Sequence, residues 1–189
     1  MADIMEFMEK SLEARSKHDL LLDDPLAKKL IDTCHSGRVE QITEIFEQGR
    51  DPNFTTALGS PLTVSIRSES EATKKVLKLL SLGADVEFLE YDGFTPLTIA
   101  ATNGKPEIVR LLIQNGAKLD SQEHPMRWTA LMNAACLGQA LTVTELLNHG
   151  ADICLKSEHG LTAIDIARGN GKRGILSLFL RFMEKKLKR

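Results

Sequence analysis

Six residues near the C-terminal end, GNGKRG from Gly169 to Gly174, fit the pattern G-x-G-x-x-G that cradles a pyrophosphate in dinucleotide-binding proteins. That chemistry needs a strand ending and a helix beginning, so that backbone N–H groups at the helix N-terminus face the phosphates. A second grouping offers soft metal ligands: His149, Cys154 and His159 fall within eleven residues. Their spacing matches no common zinc pattern, and no fourth ligand is evident. Cys34 stands beside His35, but neighbours on a helix point about 100° apart and do not face each other as nucleophile and base. Glu40, Glu107 and Glu145 fall near the expected starts of helices, where carboxylates complement the helix dipole. Asp85 and Asp152 follow Gly-Ala pairs, where turn structure accounts for them. No pair of carboxylates stands out as acid and base, and no P-loop occurs. What any of these residues does depends on the elements that hold them.

Composition narrows those elements. A chain of 189 residues suits one compact domain or a short repeat array. The formal net charge of −2 argues against broad nucleic-acid binding, which needs many cations on phosphate. No apolar run approaches the roughly 18 residues of a membrane span, and the start MADIMEFMEK lacks the basic region and long apolar stretch of a secretory signal. Three cysteines with no C-x-x-C pair suit a reducing compartment, so a cytoplasmic location is expected, without metal or cofactor.

The chain repeats itself. DGFTPLTIAATNGKPEIVRLLIQNGAKLD, MRWTALMNAACLGQALTVTELLNHGADIC and HGLTAIDIARGNGKRGILSLFLRF align over most of their length. Thr95, Thr129 and Thr162 recur at intervals of 34 and 33 residues, and so do Gly104, Gly138 and Gly171. Upstream, GSPLTVSIRSESEATKKVLKLLSLGADVE carries about three extra residues around Ser68 to Ala72, and DPLAKKLIDTCHSGRVEQITEIFEQGRDPN lacks the T-P-L opening, as a terminal copy should. Where Thr-Pro occurs, Thr caps a helix that Pro can begin without losing a bond. Gly104 and Gly138 stop that helix at positions suited to positive φ. Ile108, Val109, Leu111 and Leu112 give the second helix its apolar face. GNGKRG follows LTAIDIAR, which aligns with a first helix, so Gly171 is expected in a helix–helix turn and not at a phosphate site.

The period, with T-P-L, A-A-x-x-G and L-L-x-x-G-A-D, resembles the ankyrin repeat family. The resemblance implies an all-α solenoid of about five helix-turn-helix repeats with short extended finger loops. The repeats run over approximately 24–53, 54–87, 88–120, 121–154 and 155–182, then a C-terminal helix extension, after an N-terminal amphipathic segment over 1–23. Thr63, Thr98, Met132 and Asp165 stand where the family has His after T-P-L, so the usual hydrogen bonding at that position is altered. Glu87, Asp120 and Cys154 replace a frequent Asn that only Asn53 keeps.

The resemblance also implies a binding surface, since family contacts come from finger tips and the adjoining surface of the first helix. Carried over by register, these are Tyr91, Asp92 and Phe94 with Thr102 and Asn103; Met126, Trp128, Cys136 and Leu137; and His159, Leu161 and Asn170. Phe94, Trp128 and Leu161 each precede the capping Thr, and in stacked repeats they form an apolar row. Such a row either packs between fingers or anchors a partner; exposed apolar rows and aromatic anchors favour the partner. The expected function is a non-catalytic protein–protein interaction module, an adaptor, inhibitor or effector. Two alternatives are a metal- or small-ligand-binding enzyme built on Cys136 or the His149–Cys154–His159 group, and a peripheral membrane protein. The latter would use the basic tail LFLRFMEKKLKR, where Leu180, Phe182, Met183 and Leu187 lie among five basic residues. More often such a tail caps the exposed end of a repeat stack.

Overall fold

One device starts four helices in a computed structural model that describes residues 24–49 and 51–187. Ser60, Thr95, Thr129 and Thr162, each in extended backbone, accept through their hydroxyls from the N–H three residues on. Pro61 and Pro96 take the first helical position, where the missing N–H costs no bond. Ten α-helices, in five pairs, make up the regular structure among the described residues: α1 Pro25–Ser36, α2 Val39–Phe46, α3 Pro61–Arg67, α4 Ala72–Ser81, α5 Pro96–Thr102, α6 Pro106–Gln114, α7 Ala130–Leu137, α8 Ala140–Asn148, α9 Ala163–Gly169 and α10 Arg173–Leu187. This is the all-α repeat fold that the sequence period implies. The expected amphipathic segment over 1–23 lies outside the described residues.

The chain divides into two units, Met1–Asp92 and Gly93–Arg189. In the first, α1 packs on α2 and α3, while α4 packs on α2 and α3. Leu30, Ile31, Cys34, Ile42, Ile45, Leu62, Ile66, Val76 and Leu79 fill its core. Two charged side chains, Glu90 and Lys75, are buried with them among the described residues. Glu90 accepts from the hydroxyls of Thr55 and Thr63 and from the N–H of Ser60. Lys75 donates from Nζ to the Cys34 carbonyl at 3.2 Å and to Ser68 Oγ at 3.0 Å.

In the second unit α5, α7 and α9 stack in succession, as do α6, α8 and α10. Ala100, Ala101, Ala134, Ala135 and Ala167 are fully buried, and the lack of a longer side chain there lets first helices approach closely. The turn glycines Gly104, Gly138 and Gly171 have φ of 64°, 83° and 66°. GNGKRG is thus a helix–helix turn: α9 ends at Gly169, and Lys172 donates its N–H back to the Ala167 carbonyl before α10 starts.

One expectation needs correction. Glu145 does not begin its helix; α8 starts at Ala140, and the Glu145 carboxylate faces α6, where Arg110 Nε and Nη2 hold it at 2.7 and 3.0 Å. On α10 the buried residues are Ile175 and Phe179, while Leu180 is 58% and Leu187 87% exposed. The helix turns those two leucines away from the surface it covers.

Candidate functional site

Fingers bind one another by side-chain amides and by stacking. In the finger before α7, the Gln122 amide nitrogen donates to the Arg127 carbonyl at 2.6 Å and to the Lys156 carbonyl at 2.9 Å. Arg127 returns its N–H to the His124 carbonyl, and Met126 donates its N–H to His124 Nδ1. The Met126 carbonyl accepts from the N–H of Glu158 in the next finger. On its other side, the His124 ring stacks on Phe94 with centroids 4.4 Å apart and planes 18° from parallel. Ser157 and Leu161 then close the following finger: the Ser157 N–H donates to the Leu161 carbonyl, and Ser157 Oγ accepts from the Leu161 N–H.

The row Phe94, Trp128, Leu161 is therefore uneven and not uniformly exposed. Phe94 and Trp128 are half-buried, whereas Leu161 is 44% exposed. Met126 and Leu137 are 40% and 49% exposed, and His159 is exposed at its finger tip. On the first helices, Thr102 bonds its hydroxyl to the Thr98 carbonyl, and its own carbonyl accepts from Gln139. Asn103 and Asn170, both exposed, turn their amides back onto Ile99 and Ile166. Cys136 is half-buried beside exposed Leu137. Tyr91, half-buried, and Asp92, exposed, close the first unit.

The departures at the fourth motif position have local consequences. Thr63 and Thr98 pair their hydroxyls with the cap of their own repeat at 3.1 and 2.9 Å, and the Asp165 carboxylate receives the Thr162 hydroxyl at 2.6 Å. The Thr162 bonds hold the Asp165 carboxyl below its ordinary pKa. Asn53 bridges the Gly83 carbonyl and the Asp85 N–H, and Asp120 takes over the accepting half by receiving the Asp152 N–H.

The His149 ring contacts the Glu145 carbonyl and lies 3.5 Å from its carboxylate, while Cys154 and His159 are exposed on finger segments. No three His, Cys, Asp or Glu groups converge to hold a metal among the described residues. Burial pushes the Cys34 thiol up to about 11, the wrong direction for a nucleophile at neutral pH. No described helix is long and apolar enough to cross a membrane.

Register alone passed over Gln122, His124 and Arg127, which build the most elaborate finger. The signal was present: Arg127 sits two residues before Thr129, as Gly93 and Gly160 sit before Thr95 and Thr162.

A family model for ankyrin repeats in three copies matches residues 30–123, and a single ankyrin-repeat model matches 126–158. The mouse ankyrin repeat and SAM domain-containing protein 6 is 42% identical over 81 residues, covering 43% of this chain and 9% of that protein. A Caenorhabditis elegans homolog of transient receptor potential cation channel subfamily A member 1 is 36% identical over 121 residues, covering 64% of this chain and 10% of the channel. Human SH3 and multiple ankyrin repeat domains protein 2 is 30% identical over 135 residues, covering 70% and 7%. The chain thus spans a tenth or less of these relatives.

Proposed function

This chain belongs to the ankyrin-repeat family, and from that premise we propose that it is a non-catalytic binding module. It takes a protein partner on the fingers and first-helix ends of its repeats, as an adaptor, inhibitor or effector, in the cytoplasm. Ankyrin repeats are generally protein–protein interaction modules, and one relative named above joins multiple ankyrin repeats to an SH3 domain. The observation that carries the proposal is the exposure of Met126, Leu137 and Leu161 at finger tips and a first-helix end. Caps and turns use only the backbone or neighbouring polar groups there, so the scaffold leaves these apolar side chains unspent. Trp128, half-buried among them, supplies the aromatic anchor typical of a binding hot spot.

The test pairs affinity capture from cell lysate with thermal melts for wild type, Met126→Ser and Leu161→Ser. Exposed truncations change stability by no more than about 0.5 kcal/mol. Loss of a captured protein at unchanged melting temperature supports the proposal. Capture indifferent to both substitutions, or lost only as the protein unfolds, overturns it.

A second reading has one observation in its favour. Exposed Leu180 and Leu187 lie on α10 with Arg181, Lys185 and Lys186, an arrangement able to rest on an anionic membrane surface. Binding to anionic vesicles that weakens with salt would favour it.

A further inference from the structure

Two residues before the capping Thr, the backbone of each second-unit finger turns through the left-handed region. Gly93 does so at φ 79° and Gly160 at φ 73°; at the same place in the middle finger stands Arg127, at φ 51°. Glycine enters that region freely, while an L side chain crowds the following carbonyl. Arginine is thus held against its own backbone preference where the neighbouring fingers use the residue that fits. Such a backbone persists where the surrounding structure holds it, and residues of this kind cluster at active and binding sites.

The finger itself asks little of that side chain. The contacts that shape the tip, from Gln122 to the Arg127 carbonyl and from the Arg127 N–H to His124, are made by the backbone and would survive in glycine. The guanidinium makes one long hydrogen bond, Nη2 to Gln122 Oε1 at 3.3 Å, and no ion pair among the described residues. Most of its five donors therefore face solvent from an exposed residue. Exposed Met126 adjoins it, and the Lys156 carbonyl is tied to the same Gln122 amide, which brings the two fingers together. Glu123 and Glu158 are exposed on these fingers too, so the surface does not attract anions in bulk. Recognition rests on one planar fork beside one apolar side chain.

We infer that Arg127 is a specificity residue that receives a carboxylate of the partner protein, from an acidic segment that also places an apolar side chain against Met126. The inference rests on the binding-module reading above. A bidentate guanidinium–carboxylate pair has the strength and directionality to justify a strained arginine, and a lone fork with acidic neighbours is poorly suited to a polyanion such as nucleic acid.

A random peptide library selected against the full chain supplies the probe, and selected peptides are then measured against Arg127→Gly, Arg127→Lys and Leu161→Ser. The expected peptides are enriched in Asp or Glu next to Leu, Met or Phe. Arg127→Gly weakens them about tenfold or more while its melting temperature stays level or rises, and Arg127→Lys restores only part of the loss because it keeps charge without the fork. A lower melting temperature for Arg127→Gly would assign the arginine a structural role and overturn the inference. So would selected peptides without acidic enrichment, or acidic peptides indifferent to Arg127→Gly. If those peptides still lose affinity on Leu161→Ser, the binding face stands and only the role of Arg127 falls. Binders indifferent to all three substitutions, or no binders at all, overturn both.

Discussion

Cys34 and Lys75 share the interior of the first unit, and burial moves their proton equilibria in opposite directions. Loss of solvent raises the thiol from 9.0 to about 11, against smaller opposing effects of the Ser65 hydroxyl and the Lys75 ammonium. The same loss of solvent lowers the Lys75 pKa from 10.5, with Cys34 and Glu71 acting the other way. A thiol with a raised folded pKa contributes stability that is whole below pH 9.0 and is lost as pH rises through its folded value. A shift of that size corresponds to at most about 2–3 kcal/mol. The lysine works in the opposite sense, since its unfolded form binds the proton more readily and stability rises with pH. Comparing wild type with Cys34→Ala isolates the thiol, because Lys75 is common to both. Urea denaturation should show wild type losing stability relative to Cys34→Ala between about pH 9 and about pH 11; a constant difference would contradict the shielding. Alkylation at neutral pH should then label exposed Cys154 before half-buried Cys136, with Cys34 reacting only as the unit opens. The sequence placed Cys34 beside His35, but its actual neighbour, Lys75, arrives through packing of helices distant along the chain. Arg127 was hidden differently: the alignment showed a glycine position, and only the backbone dihedral shows that arginine follows glycine's path.

First helices were legible because their caps are side chains. Ser60, Thr95, Thr129 and Thr162 each make a cap bond, so a Thr→Ala change at Thr129 should cost about 1 kcal/mol in chemical denaturation. The starts of second helices were less so. Glu71, Lys105 and Gln139 occupy the N-cap positions of α4, α6 and α8 with no side-chain cap bond, so no capping side chain marks where these helices begin. This is why Glu145 was expected at a helix start and is found inside α8. Its bond with Arg110 holds the carboxyl below its ordinary 4.5. A carboxylate lowered in this way contributes stability present above 4.5 that is lost as pH falls through the folded value. Glu145→Gln should therefore make the acid limb of a stability–pH curve shallower, and an unchanged limb would show that the half-exposed pair contributes nothing measurable.

Beyond single elements, repeats within the second unit bury their helices on one another, α7 on α5, α9 on α7, and α8 between α6 and α10. The exposure of Met126, Leu137 and Leu161 was legible for the same reason: register marks which positions the stack does not consume. How deeply Phe94 sits was not legible, since it depends on His124 of the next finger stacking on its ring. Stacked repeats couple mainly to their neighbours, so damage at the end should fade along the unit. Phe179 is the buried anchor of α10, which packs on α8 and α9. Phe179→Ala should cost about 3–5 kcal/mol, with amide exchange rising most in α8, α9 and α10 and least in α5 and α6. Leu180→Ser, 58% exposed on the same helix, should change little. Removing residues 184–189 takes away Glu184, Lys185, Lys186 and Leu187, all exposed, and should leave that gradient and the melting temperature nearly as they are. Removing everything after Gly174 strips Ile175 and Phe179 from the α8–α9 surface and should cause unfolding or aggregation. If the longer truncation stays soluble and melts with the parent, α10 is no cap. Its basic residues would then be better explained by the membrane-surface reading, with loss of vesicle binding in the shorter truncation as the discriminating result.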